Sequence, residues 1–223
     1  MFCFARIFNL RIASVLPVVG LLAACHPGSI KVVSEKYESG QPKVVFYFHS
    51  EEDALQHPVA IVKNGISHAS KPLSFDIERY YPGGTLYCKG QYVNGQTCGL
   101  WLYFYSSGIR QAKCYYWNGI PRDTAYCWYP SGKLRRLLLE IDTTRRHWHG
   151  IDYYESGQKS TECSLTADSD GALSIEGDYQ AWYASGLLKI QATAEDGWSR
   201  GKWQRWDSAG VLEAGDTTIG LSY

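Results

Sequence analysis

The chain has 223 residues, with 22 Lys and Arg against 22 Asp and Glu, so it carries no excess of positive charge of the kind that binds nucleic acid. Aromatic residues make up 14% of it, and all eight Trp and all seventeen Tyr lie after residue 24. Such a composition favours strands over helices, because rings and β-branched side chains suit a pleated surface, and no segment sustains a 3.6-residue apolar period.

The first residues read as a leader. Arg6 and Arg11 precede an apolar run from Ile12 to Ala24, which is too short to span a bilayer as a stable helix. Leu22-Ala23-Ala24-Cys25 follows, and it resembles the lipobox of bacterial lipoproteins. The resemblance implies cleavage after Ala24 and acylation of Cys25, which makes residues 1–24 a signal peptide and Cys25 the first mature residue. Loss of the two leader arginines leaves a formal charge of −2, and residues 25–223 amount to one ordinary domain or one array of repeats. His26 stands where an Asp would signal inner-membrane retention in diderm systems, so the expected location is the periplasmic face of the outer membrane.

A tether over 25–32 and a degenerate region over 33–74 are expected next. Tyr37-Glu38-Ser39-Gly40 opens the latter as a weak first unit, and the 44 residues from Gly40 to Gly84 suggest one degenerate unit between them, with Asn64-Gly65 as its turn.

From residue 75 to 215 the self-similarity is plain. Gly84, Gly108, Gly132, Gly157, Gly186 and Gly210 are 24, 24, 25, 29 and 24 residues apart, each with an aromatic four positions earlier. Five of the six have Tyr three positions earlier: Tyr81, Tyr105, Tyr129, Tyr154 and Tyr183. Each unit reads as strand, tight turn with Gly at positive φ, strand, and then a second turn at Asn94-Gly95, Asn118-Gly119 or Asp196-Gly197. Adjacent strand positions face opposite sides, which puts Trp101, Tyr103 and Tyr105 on one face and Leu100, Leu102 and Phe104 on the other. Residues 216–223 form a C-terminal tail.

Gly99-Leu100-Trp101 with Phe104 and Gly108, and Gly201-Lys202-Trp203 with Trp206 and Gly210, resemble the G-x-W-x-x-aromatic-x-x-x-G pattern of the variant MORN repeat, found in YwqK-like antitoxin proteins. Gly177, Tyr179, Trp182 and Gly186 follow it with Tyr for Trp, whereas Ile77 and Ala125 replace the Trp elsewhere. The resemblance implies an all-β fold, an elongated antiparallel meander of β-hairpin repeats, serving as a scaffold or contact surface. The antitoxin role of some members is not carried over.

The chemistry-bearing residues point the same way. His147-Trp148-His149 places two imidazoles on one strand face, with Asp152 near in sequence, but three metal ligands do not converge, and a solvated edge is the expected reading. Cys88, Cys98, Cys114, Cys127 and Cys163 show no C-x-x-C spacing. Pairs across the Asn94-Gly95 and Asn118-Gly119 turns, and buried thiols, are equally consistent with their positions. No G-x-S-x-G elbow and no phosphate loop occur.

The expectation is therefore a lipid-anchored, non-enzymatic interaction scaffold of the cell envelope with no catalytic residues, no metal and no cofactor. Its partners would be the membrane through Cys25 and another envelope protein, met by the row Tyr105, Tyr129, Tyr154 and Tyr183. The alternative is a lipoprotein that stacks glycan or peptidoglycan on its aromatic rows.

Overall fold

A computed structural model describes residues 22–23, 29–55, 73–168, 172–195 and 198–214. They belong to two compact units that divide between Pro121 and Arg122. The first holds β1 (Leu22–Ala23), β2 (Ile30–Lys36), β3 (Pro42–Phe48), a short helix α1 (Glu51–Leu55), β4 (Ser74–Tyr80), β5 (Leu86–Val93), β6 (Gln96–Phe104) and β7 (Arg110–Trp117). The second holds β8 (Ile120–Trp128) from Arg122 onward, β9 (Leu134–Asp142), β10 (His147–Tyr153), β11 (Lys159–Ala167), β12 (Leu173–Trp182), β13 (Leu188–Glu195), β14 (Trp198–Trp206) and β15 (Leu212–Ala214). Within each unit every strand pairs antiparallel with its neighbours in sequence, the all-β meander of hairpins that the repeat implies.

Steric demands at the turns set this pattern. At the repeat glycine, Gly108 N–H donates to the Tyr105 carbonyl at 2.9 Å and Tyr105 N–H donates to the Ile109 carbonyl at 2.8 Å. Gly108 sits at φ 83°, so the loop is a type I turn closed by a left-handed residue, a conformation that favours glycine. The same pair of bonds recurs at Tyr37, Tyr81, Tyr129, Tyr154, Tyr183 and Asp207. The second turns at Asn94-Gly95 and Asn118-Gly119 have positive φ at both residues, the two-residue type I′ hairpin.

Length variation between repeats is largest at these second turns. Asn94 and Gly95 alone separate Val93 from its partner Gln96, whereas residues 143–146 separate Asp142 from His147 and residues 168–172 separate β11 from β12. In the longer turn the exposed Asp142 carboxylate accepts from Thr144 N at 2.8 Å and Arg145 N at 3.0 Å, and these bonds lower its pKa, Arg145's first. The turn at Asp196-Gly197 lies outside the described residues.

Two expectations about the N-terminal region change. β3 pairs directly with β4, Phe48 opposite Phe75, so among the described residues no further hairpin of the sheet stands between Gly40 and Gly84. Asn64-Gly65 lies outside the described residues. The first long strand begins at Ile30, inside the span expected to be tether.

Most strands described have one buried side and one open side, but in β3 every residue from Val44 to Phe48 is buried. In the first unit the buried side carries a chain of rings across successive strands. Phe48 meets Phe75 at 5.5 Å, Phe75 stacks on Tyr92 at 5.6 Å, and Tyr92 meets Trp101 edge-on at 5.2 Å. Trp101 in turn reaches Tyr116 at 6.3 Å. Each such pair adds about 1 kcal/mol beyond the area it buries.

The second unit has a smaller-grained core. Ala125, Leu138, Gly150, Cys163, Tyr179 and Ala192 face one another in register or nearly so. Beside them Arg136, itself buried, forms a two-pronged ion pair with Asp152 at 2.6 and 2.5 Å. The Ala125 that replaces the repeat Trp lies on this side, 2% exposed.

Candidate interaction surfaces

The tyrosine row expected to meet a partner has a second duty. Tyr129 Oη donates to the Tyr153 carbonyl at 2.7 Å, Tyr154 Oη to the Trp182 carbonyl at 2.7 Å, and Tyr183 Oη to the Trp206 carbonyl at 2.8 Å. Tyr37 and Tyr81 do the same for Tyr80 and Phe104 at 2.7 and 2.9 Å. In every case the acceptor is the main-chain oxygen of the aromatic residue four before the next repeat glycine. That residue ends a strand just where the pairing slips by one position, so its carbonyl takes a side-chain donor. Tyr105 holds the same turn position, and the rings of Tyr105, Tyr129, Tyr154 and Tyr183 are all half-buried. The sequence carries a signal of this role: the position four before glycine exchanges Phe, Tyr and Trp, while the position three before it keeps Tyr, as a hydroxyl requirement demands.

A more exposed apolar cluster lies on the open side of the β6–β7 hairpin. Leu100 stands directly opposite Tyr115, and Trp117 follows two residues on, on the same face. They are 46%, 42% and 58% exposed, although Trp101 and Tyr116 beside them are buried almost completely. Large rings left in water on one hairpin, next to rings that are fully packed, form the kind of surface that a partner covers.

In the second unit a groove of about 840 Å³ runs across β10–β14. Register places Glu162, Gln180, Gln191 and Gln204 in one row across four strands. His149 Nε2 lies 2.9 Å from Glu162 Oε1, and Lys159 Nζ lies 2.6 Å from Glu162 Oε2. Partial burial works against the charge on Glu162, but the hydrogen bonds from Lys159 and His149 outweigh it and its pKa falls.

His147 and His149 share the open face of β10, as expected from their spacing, but Asp152 points to the opposite, buried side and pairs with Arg136. Among the described residues no group of three His, Cys, Asp or Glu side chains is placed to hold a metal ion.

The cysteines resolve as thiols. The register puts Cys88 opposite Tyr103 and Cys98 opposite Gln91, so the two cysteines flanking one turn do not face each other. Cys114 lies opposite Trp101 and Cys127 opposite Arg136, and none of the five is joined in a disulfide. Burial pushes the Cys88, Cys114 and Cys163 thiols up to about 12, which leaves almost no thiolate at neutral pH. In native protein Cys98, the partly exposed one, should therefore react with a thiol reagent well before Cys88, Cys114, Cys127 and Cys163, which should react together on unfolding. Mass spectrometry of partially labelled protein checks this; early labelling of Cys88 or Cys163 would contradict the burial.

Cys25 and, apart from Leu22–Ala23, the leader lie outside the described residues. Among those described, no helix is long and apolar enough to cross a membrane.

Comparison with curated proteins finds no match. Comparison with protein families matches residues 97–118 to the MORN repeat variant, and repeats of this kind are generally non-enzymatic protein- or membrane-interaction modules. The matched segment is the β6–β7 hairpin that exposes Leu100, Tyr115 and Trp117, so the match to a MORN repeat coincides with an exposed aromatic surface.

Proposed function

We propose that the protein is a non-enzymatic interaction scaffold of the cell envelope, lipid-anchored through Cys25 and bound to another envelope protein. The observation that carries this reading is the exposed Leu100, Tyr115 and Trp117 cluster on the matched repeat. Aromatic side chains dominate binding energy at protein interfaces because they bury much area at little cost in conformational entropy.

The anchor fits the order of elements. Removal of residues 1–24 would take β1 away and leave β2 as the edge strand. The stretch from Cys25 to Ile30 reaches at most about 18 Å, so the sheet would begin close to the lipid headgroups of the outer membrane's periplasmic face. Two or three acyl chains hold such a protein stably. Neither nucleic acid nor a cofactor is part of this reading. Tyr105, Tyr129, Tyr154 and Tyr183 contribute their half-exposed rings to the contact surface in addition to tying the turns together.

Trp117→Ala and Tyr115→Ala should each weaken binding to the envelope partner by about 2 kcal/mol with an unchanged melting temperature. Tyr154→Phe should do the reverse, losing about 1 kcal/mol of stability with the hydroxyl but leaving binding intact. Cys25→Ser should block maturation and release the protein from membranes. The partner is identified by cross-linking in whole cells, and the two quantities are measured by calorimetry and urea unfolding. Partner affinity indifferent to both Trp117 and Tyr115 would reject the surface, while fatty-acid labelling that survives Cys25→Ser would reject the anchor.

The glycan-binding alternative needs aromatic rows open to sugar rings. Trp101, Trp148 and Trp203 are each no more than 5% exposed, which favours the protein-binding reading for the aromatic residues.

A further inference from the structure

We propose that the polar groove across β11–β14 binds a neutral, extended glycan whose chain runs perpendicular to the strands. This site is separate from the Leu100–Tyr115–Trp117 surface and does not depend on it, since all of its residues belong to the second unit.

The geometry comes first. Glu162, Gln180, Gln191 and Gln204 are mutual partners on four consecutive strands, so their side chains recur at the inter-strand spacing of about 4.8 Å. That step is close to the advance per ring along an extended β-1,4-linked chain, which lets successive sugars meet successive side chains. A second, shorter row runs beside it, with Asp178 directly opposite Thr193. The volume of about 840 Å³ lies within the range of small-ligand sites.

The chemistry selects the ligand. A sugar hydroxyl both donates and accepts, and a side-chain amide offers an oxygen acceptor together with two N–H donors. Carboxylates such as Glu162 and Asp178 accept from adjacent hydroxyls. No Lys or Arg is among the lining residues, which disfavours a phosphate-rich or nucleic-acid ligand. Of the apolar residues of the wall, Cys163, Tyr179, Ala192 and Trp203 are buried, so the side chains that stand most open to a ligand are the polar ones and Leu212.

The row also lacks a sufficient structural reason. A solvated strand face gains stability from Thr or from opposite charges in register, and three amides in line provide neither.

The test titrates cellotetraose and the tetramer of β-1,4-linked N-acetylglucosamine into the full-length protein, followed by NMR of the glutamine side-chain amides and by calorimetry. At least one sugar should bind saturably with a Kd of about 1 mM or tighter. Gln191→Ala and Gln180→Ala should each weaken that binding by about tenfold, as the loss of a hydrogen bond in the site demands. Trp117→Ala should leave it unchanged. The exposed Gln191 makes its variant a safe probe of binding, and a second variant, Gln204→Ala, guards against local distortion. No response from Gln180, Gln191 or Gln204 at about 10 mM of either sugar overturns the proposal. So does binding that all three variants leave untouched, or a lysine-bearing peptide that binds at these residues while the sugars do not.

Discussion

Gly90→Ala is expected to cost about 3 kcal/mol of stability, at the upper end of what overpacking a well-filled site usually costs. An ideal Cβ at Gly90 would lie 2.2 Å from Cδ2, 2.3 Å from Cε2 and 2.6 Å from Cγ of Trp101. The indole lies flat over the strand where a side chain would otherwise stand, and it has no room to retreat. Tyr92 holds it edge-on at 5.2 Å, Tyr103 stacks at 6.1 Å and Tyr116 closes the far side at 6.3 Å. Trp101 is 3% exposed, so no rotation into solvent relieves the clash. In a domain of this size the loss should appear as a fall in melting temperature of about 6–12 °C. The cause is separable from the intrinsic effect of alanine in a strand by a double-mutant cycle. In a Trp101→Leu background, where the ring is gone, Gly90→Ala should be nearly neutral, giving a coupling of about 2 kcal/mol or more. Equal costs in the two backgrounds would mean that Gly90 is not covered by Trp101.

The contrast between Gly90 and Gly108 shows what a sequence of this kind discloses. Gly108 is legible because the constraint on it is local: a type I turn closed at positive φ favours glycine wherever the turn occurs, so the residue recurs at each repeat. Gly90 is constrained by a ring eleven residues away on the next strand, and nothing in its own neighbourhood announces that. The cysteines fail to pair for a simpler reason. The register that Asn94-Gly95 sets up, Val93 with Gln96, runs on to Cys98 opposite Gln91, three residues short of Cys88. The Gly40–Gly84 interval is a further case, since its length alone does not tell that Phe48 pairs directly with Phe75.

The candidate surfaces divide along the same line. The tyrosine row was visible as a repeat, and the preference for Tyr over Phe at that position hinted at its hydroxyl bonds. Leu100 was placed on a strand face by its pattern, but which face stays open depends on what covers the other. The Glu162–Gln180–Gln191–Gln204 row was not legible at all, because its members are separated by irregular turns and all three strand pairs that align them contain a register shift.

Asp152→Ala should destabilise the second unit by about 3–4 kcal/mol, because it takes the two-pronged carboxylate away from a buried guanidinium. Arg136 is 8% exposed, and Asp152 grips it with both carboxylate oxygens, Oδ1 2.6 Å from Nε and Oδ2 2.5 Å from Nη2. The two residues are direct partners on β9 and β10, flanked in register by Cys127 on one side and Thr161 on the other. Asp152 stands five before its repeat glycine, the position held by the buried Tyr103 in the matched repeat, so an ion pair occupies part of the core that rings fill in the first unit. The Glu162 cluster provides the control. Its side chains are a quarter or more exposed, so Glu162→Gln should change stability by no more than about 1 kcal/mol, and salt should shrink even that. Burial also predicts how the loss is repaired. Replacing both partners, Arg136→Met with Asp152→Leu, removes the uncompensated charge and should restore most of the stability that Asp152→Ala loses. Urea unfolding of the three variants at low and high salt separates these outcomes. If Asp152→Ala lies within about 0.5 kcal/mol of the parent, or if the double replacement is as damaging as the single one, Arg136 is solvated in solution and the pair is not part of the core.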